Sequence, residues 1–349
     1  MEYDIRPFDL NTASDEDWIM FYRFTCIVTE ELFPDIPLED FESYRASMIS
    51  NLMFNDVYAH VVVPRNDPTE VIGWLRCTFI KEEDPSYFGN EDFCQIHLII
   101  LDEYRQKGIA RKLLAIAYEH ALEQNRTQFT GALLNYASRE FLRLIGGKEA
   151  LAIRISQLNM NDVDWELIEK WVNEGPSRSP TSSLEFHLSI PELVLEDYCN
   201  VYTEVLNQAP RDELTTGDEV FTPEKWKKLE DHVRKTGGTW ITAVVREQDG
   251  GISGLTDIGY EPSTPTIITQ YLTGVQEKYR GRGLGKWLKG AMLLKIRDEY
   301  PDVEVVSTGN ATSNEPMLAI NEKLGFRLKR ESYMFQVDLQ KVKAHLSRD

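Results

Sequence analysis

Apolar runs and their spacing divide the chain into two series of short elements. In the first series Tyr3–Pro7 reads as a strand, and residues 15–50 carry two helical patterns separated by Pro34 and Pro37. Val57–Val63 and Val71–Ile80 are β-rich runs flanking Pro64-Arg65-Asn66-Asp67-Pro68, a turn signal, so they predict a hairpin. Phe93–Leu101 is a nearly unbroken apolar run, as expected of a central strand covered on both faces, and a helix follows from about Gln106 to Asn125. The second series repeats the plan: strand 184–188, helices near 191–207 and 223–236, and hairpin strands 239–246 and 252–260 around Gln248-Asp249-Gly250-Gly251. Strand 266–275, helix 282–300, strand 303–308, helix 314–324 and a final hairpin to Leu339 complete it.

The two series share sequence as well as order. Ile100, Arg105, Gly108 and Leu113 match Val275, Arg280, Gly283 and Leu288, all 175 positions apart. Asn135, Leu142 and Gly146 match Asn314, Asn321 and Gly325 at a spacing of 179, so a single gap of four residues reconciles both blocks. Duplicated domains are the simplest reading. Gly175-Pro176-Ser177-Arg178-Ser179-Pro180-Thr181-Ser182-Ser183 has linker composition, which sets the expected domains at 1–174 and 184–349 with a linker at 175–183.

Composition narrows the class. The 349 residues are 42% hydrophobic and 27% charged, typical of a globular chain with room for two cores. A net charge of −19 argues against nucleic-acid binding, which needs a basic surface. No apolar run reaches the ~20 residues of a membrane span. The start Met1-Glu2-Tyr3-Asp4 lacks the basic and apolar regions of a signal peptide, so a cytoplasmic protein is expected. Cys26, Cys77, Cys94 and Cys199 lie at least 17 residues apart, which excludes a CxxC pair and suggests reduced, packed thiols. The six histidines are scattered, and no metal is expected.

The chemistry concentrates after strand 266–275. A helix begins there at Arg280-Gly281-Arg282-Gly283-Leu284-Gly285. Successive N–H groups in such a turn point outward at the positive end of the helix dipole and make an anion site. Glycine lets a diphosphate approach without meeting a Cβ. Lys278–Arg297 holds seven basic residues and no acidic one, a local reversal in so acidic a chain. A Walker A loop is excluded because Trp287 follows Lys286, and a dinucleotide fingerprint would require glycine at 286. The remaining pattern, Arg-x-x-Gly-x-Gly, resembles the acetyl-CoA pyrophosphate loop of the GNAT superfamily of N-acyltransferases, and Arg105-x-x-Gly108-x-Ala110 repeats it. Asn314-x-x-Met317-x-x-x-Asn321-x-x-x-Gly325-Phe326 resembles that superfamily's closing helix, with Asn321 where tyrosine is usual.

The resemblance spans nearly the whole chain. It implies an α/β (α+β) fold of two consecutive GNAT-like domains, each a mixed, mostly antiparallel twisted sheet flanked by helices. It also implies acetyl-CoA as cofactor, held by the backbone of Thr273 and Val275, by Arg280, Gly281, Arg282, Gly283, Leu284, Gly285 and Lys286, and by Asn310, Asn314 and Asn321. First-half counterparts are Ile100, Arg105, Gln106, Lys107, Gly108, Ile109, Ala110 and Asn135.

Catalytic residues are harder to name. Strand 266–275 has no carboxylate; Asp257 and Glu261 are the nearest, and both read first as solvated hairpin residues. Tyr333 and Asn321 are the candidates at the place of the missing acid. The first half has Leu142 at that place, and Gly147 where the second has Phe326, so activity is expected in the second half. His97 reads more readily as a packed residue than as a base. Asp212–Glu219 carries four acids in eight residues, which suits a cationic amine acceptor. The expected reaction is acetyl transfer to a primary amine of a small molecule by direct attack on the thioester. The competing readings are an acyl-CoA-binding sensor without turnover and a protein amino-group acetyltransferase.

Overall fold

The computed structural model describes residues 2–348. In the first half the elements are β1 (Tyr3–Pro7), α1 (Asp15–Leu32), α2 (Phe41–Ser50), β2 (Asn55–Pro64), β3 (Gly73–Ile80), β4 (Phe93–Ile100), α3 (Ile109–Glu123), β5 (Gln128–Leu133), α4 (Tyr136–Leu144) and β6 (Lys148–Asn159). The second half has α5 (Trp165–Arg178), β7 (Ser183–His187), α6 (Glu192–Asn207), α7 (Pro223–Lys235), β8 (Thr239–Arg246), β9 (Ile252–Tyr260), β10 (Ile267–Val275), α8 (Leu284–Glu299), β11 (Val305–Ala311), α9 (Glu315–Leu324), β12 (Arg327–Asp338) and α10 (Leu339–Leu346). The expected order of strands and helices is present in both halves.

The chain forms two compact units whose borders differ from the expected ones. The first comprises the chain up to Leu151, Glu213–Asp218 and everything from Ser332. The second is Ala152–Asp212 with Glu219–Glu331. The first unit's sheet runs β1-β2-β3-β4-β5 and is closed by β12, which pairs antiparallel from Tyr333↔Leu133 to Asp338↔Gln128. The second runs β7-β8-β9-β10-β11 and is closed by β6, from Val305↔Asn159 to Ala311↔Ile153. The sixth strand of each sheet therefore comes from the other half of the sequence. No hairpin forms before Leu339, because Arg327–Asp338 is one uninterrupted strand with no turn residues in it.

Helices cover both faces of each sheet. Ser14 caps α1, which turns Trp18, Phe21, Phe24 and Val28 inward at helical spacing. Together with Trp74 of β3 they build one core; Leu113, Leu114 and Ala117 of α3 build the other against Leu75 and Phe129. In the second unit α8 buries nine of its sixteen residues, as a helix must when covered on several sides.

The segment read as a linker is partly that cover. Residues 175–178 are the last turn of α5, with Pro176 inside the helix and Ser179 N–H closing it on Gly175 O. Gly175 is buried because a Cβ there would stand 2.3 Å from Trp287 Cδ2, so its glycine serves a close helix approach rather than flexibility. Cys77, Cys94 and Cys199 are buried and Cys26 partly so, all as free thiols. No group of three metal-binding side chains is found among the described residues.

This contact gives a direct test. Gly175→Leu should overpack the α5–α8 seam and lower stability by about 1–3 kcal/mol, read as a lower denaturant midpoint with tryptophan fluorescence. An unchanged midpoint would show that α5 is not seated on Trp287.

Candidate active site

In the first unit the site arises where two strands separate. β4 and β5 begin as a parallel pair, Phe93↔Gln128 to Gln95↔Thr130, and then part. Beyond that point β4 pairs with β3, up to Ile100↔Gly73, and β5 pairs with β12. A cavity of ≈560 Å³ lies at the opening, with Ile96, Leu98, Leu133, Phe141, Leu142 and Phe335 in its wall. Gly131 of β5 admits no side chain, since a Cβ would meet Ile96 O at 2.4 Å.

The cavity reaches Arg105–Arg111 at the start of α3. Gly108, at φ 77°, is the N-cap and offers no side-chain acceptor, so the amides of Ile109, Ala110 and Arg111 have no intrahelical partner. Seven of the ten α-helices among the described residues carry a side-chain N-cap; α3, α6 and α8 do not. Both glycine turns are thus left open. Gln106 holds φ 60° where the second copy has Gly281 at φ 82°, so the first turn keeps its shape at a cost of ~1–2 kcal/mol. The arginine of each motif is a brace. Arg105 Nε donates to Ile100 O at 3.0 Å, and Arg280 Nε donates to Val275 O at 3.4 Å while its Nη2 reaches Gln208 Oε1.

The second unit parts its strands in the same way, after Ile267↔Val305 to Gln270↔Thr308, leaving Thr273 and Val275 paired with β9 alone. Its interior is different. Lys289 Nζ donates to Gln270 Oε1 and, at 2.7 Å, to Asn321 Oδ1, and Asn321 Nδ2 donates to Asn310 Oδ1 at 2.7 Å. This chain bridges β10 to β11 across the point of parting. The aligned residues in the first unit are Leu114, Leu142 and Gly131, so one copy has an apolar opening where the other has a polar tie. Lys289 is 1% exposed, and burial pushes its ammonium down to about 7.

A bulge at Tyr271–Leu272 interrupts the β9–β10 register, and Asp257 fills it. Asp257 is 0% exposed, so the expectation of a solvated hairpin residue fails. Its carboxylate accepts from Leu272 N–H at 2.7 Å and Trp240 Nε1–H at 3.1 Å, and burial raises it to about 7. Glu261 sits in the turn after β9, beside Gly238. Tyr333 belongs to the first unit, where it pairs with Leu133 beneath the Arg139 guanidinium at 3.9 Å.

Other expected contacts have local duties. Asn135 caps α4 and Asn314 caps α9. Arg282 is tied to Glu247 at 3.0 Å and to Ser179 and Ser182. Lys286 lies over the Trp171 ring. Within the acidic segment, Glu213–Asp218 joins the first unit: Gly217 N–H donates to Asn90 Oδ1 at 2.9 Å and Thr215 N–H to Gln336 Oε1 at 3.1 Å. Asp212 and Glu219, the acids at its two ends, belong to the second unit. The cavity's wall residues escaped the sequence reading because buried leucines and phenylalanines look like any core, and Phe335 arrives from the far end of the chain.

The buried lysine has a measurable consequence. Unfolded, Lys289 keeps its proton to about 10.4; folded, it loses it near 7. Between these values the unfolded state binds more protons, so stability rises with pH. Lys289→Met should flatten that rise in thermal midpoints between pH 7 and 10. An equal slope in both proteins would contradict the buried, carboxylate-free setting.

Comparison with known proteins agrees with this geometry. Residues 18–146 match the model of the acetyltransferase (GNAT) family. An L-2,4-diaminobutyric acid acetyltransferase of Streptomyces avermitilis is 29% identical over 93 residues, which span 26% of this chain and 52% of that protein. The tandem GNAT protein from the clavulanic acid biosynthesis pathway superposes with a TM-score of 0.75 at 20% identity, covering 97% of this chain and 99% of that one. A GCN5-related N-acetyltransferase from Sphaerobacter thermophilus gives 0.64 at 13% identity, covering 97% and 96%. These structural likenesses establish the fold of both halves, while the family match in sequence falls in the first. Residues 18–146 therefore resemble the acetyltransferase (GNAT) family in sequence, and the whole chain has the fold of two consecutive GNAT copies.

Proposed function

We propose that the protein moves the acetyl group of acetyl-CoA to a primary amine of a small molecule, with the cofactor seated in the first unit. The observation that carries this is the apolar cavity between β4 and β5, which ends at the uncapped start of α3. The chain's residues suit such a ligand at both ends. The amides of Ile109, Ala110 and Arg111 meet a diphosphate at the helix's positive end, and Ile96, Leu98 and Phe335 wall an extended arm. Bound there, acetyl-CoA supplies the acyl group as an activated thioester. The unpaired edge of β4 beyond Gln95 offers main-chain groups to that arm, as an exposed strand does to an added one. His97, on the same strand, is lowered to about 4 by burial and by the Arg76 charge, so it stays neutral at pH 7. With leucine at 142, no side-chain acid stands at that place. A small amine acceptor is supported by the diaminobutyrate acetyltransferase likeness.

A second reading puts the chemistry in the second unit. Its Arg280–Gly285 loop keeps all three glycines, and its bulge at Tyr271–Leu272 disrupts the strand edge beside the gap. Against it stands the Lys289–Asn321–Asn310 tie across that gap.

Charge placed in either loop separates the two. Around Gly108 no atom lies within 4 Å of a new Cβ, so Gly108→Glu meets no clash and carries the ~1–2 kcal/mol of a left-handed residue that Gln106 already bears, which the fold should tolerate. It should weaken acetyl-CoA binding in calorimetry by ~100-fold or more, which is ~2.7 kcal/mol, with thiol release falling in parallel. Gly283→Glu should change both by less than ~3-fold, or ~0.7 kcal/mol. The reverse pattern would place the cofactor in the second unit, and no thiol release with any amine would leave an acyl-CoA-binding protein.

A further inference from the structure

The register of the two sheets places opposite charges at equivalent positions. Gly73 pairs with Ile100 and Gly254 with Val275, the aligned strand ends. Three residues on from each glycine stand Arg76 in the first unit and Asp257 in the second. Asp257 takes donors from its own unit. Arg76 has no such complement.

Arg76 lies opposite His97 across β3 and β4, and its Nη1 reaches toward α2, where Met48 Sδ at 3.8 Å receives it. A thioether is a weak acceptor, whereas a guanidinium carries five donors in a planar fork. Its Nε is buried without a hydrogen-bond partner, and among the described residues it enters no ion pair. Tyr44 is the neighbouring hydroxyl, hydrogen-bonded to Thr25 Oγ1 at 2.8 Å, and burial holds it protonated, up to about 12. His97 is neutral, so no group of the cluster balances the cation. Glu39, the carboxyl that faces Tyr44, is itself raised by burial and by Asp40. Leaving a charge partly desolvated and uncompensated is unfavourable unless a ligand brings the counter-charge.

The location gives that ligand a role. Ile96 and Leu98, the neighbours of His97 on β4, line the cavity, while His97 and Arg76 face the α1–α2 side. That side is the face of β4 opposite the cavity, across the parted strands. The protein's overall charge of −19 disfavours anions, so a bare cation here selects for one.

Building on the acetyl-transfer reading for the first unit, we propose that Arg76 anchors a carboxylate of the acceptor, so that the amine acetylated is borne by an amino acid. The fork binds the carboxylate and leaves the amine to reach the thioester.

Matched acceptors that differ only by the carboxylate test this: L-ornithine against putrescine, L-lysine against cadaverine, and L-2,4-diaminobutyrate against 1,3-diaminopropane. In thiol release with acetyl-CoA, the better pair should show kcat/KM favouring the amino acid by ~10- to 100-fold, the worth of a charged hydrogen-bonded pair. Arg76→Gln should bring that ratio close to one, chiefly through KM, and Arg76→Lys should restore part of it. A wild-type ratio near one, or a ratio untouched by Arg76→Gln, overturns the anchor. Calorimetric titration of the same pairs into the CoA-loaded protein reads the anchor without turnover. Arg76-dependent preference for the amino acid with no thiol release would fail the transfer reading alone; equal binding of both members would fail the anchor. If Arg76→Gln does not fold, the wild-type ratio and Arg76→Lys decide by the same criteria.

Discussion

The site depends on a parallel strand pair that stops pairing. Between Phe93 and Gln95 the β4–β5 ladder is regular; beyond it, each strand keeps only its outer partner. A sheet loses hydrogen bonds at such a point, and buried backbone groups demand replacement partners. The structure meets that demand differently in its two copies. Around β4 and β5 the opening is lined with leucine, isoleucine and phenylalanine and keeps its volume. Around β10 and β11, Lys289, Asn321 and Asn310 link the strands. An extended ligand with its own amides fits the first arrangement better than the second.

The helix that follows each gap supplies the other half of the site. Gly108 and Gly283 both adopt left-handed backbone and leave their helices uncapped, whereas most helices in the chain are capped by Ser, Thr, Asp or Asn. The paired arginines hold these turns against the strand ends through backbone carbonyls. The open turns present main-chain amides, and the charge on Arg282 is spent on Glu247.

Much of this was legible in the sequence. The duplication, the loop motif and the strand order follow from spacing alone, because glycine and arginine at fixed offsets report a backbone shape. The unit borders were not legible. Arg327–Asp338 has the alternation of a strand wherever it pairs, and nothing local says that Ser332–Asp338 lies beside β5. Gly175 and Pro176 carry the composition of a linker, yet they end a helix because Trp287 needs the space a side chain would take. Asp257 looked like a surface residue on an exposed hairpin; a bulge two strands away from the edge gave its carboxylate buried donors. The completeness of the motifs favours the second half, whereas the apolar cavity lies in the first, because a motif records the loop but not the lining of the gap beside it.

The central claim is that the first unit's parted strands and uncapped helix seat the acyl-CoA. Amide hydrogen exchange with and without acetyl-CoA tests it residue by residue. The account predicts new protection at Leu98–Ile100 and Ile109–Arg111, with Thr273–Val275 and Leu284–Lys286 unchanged. Protection confined to the second pair of segments would contradict it.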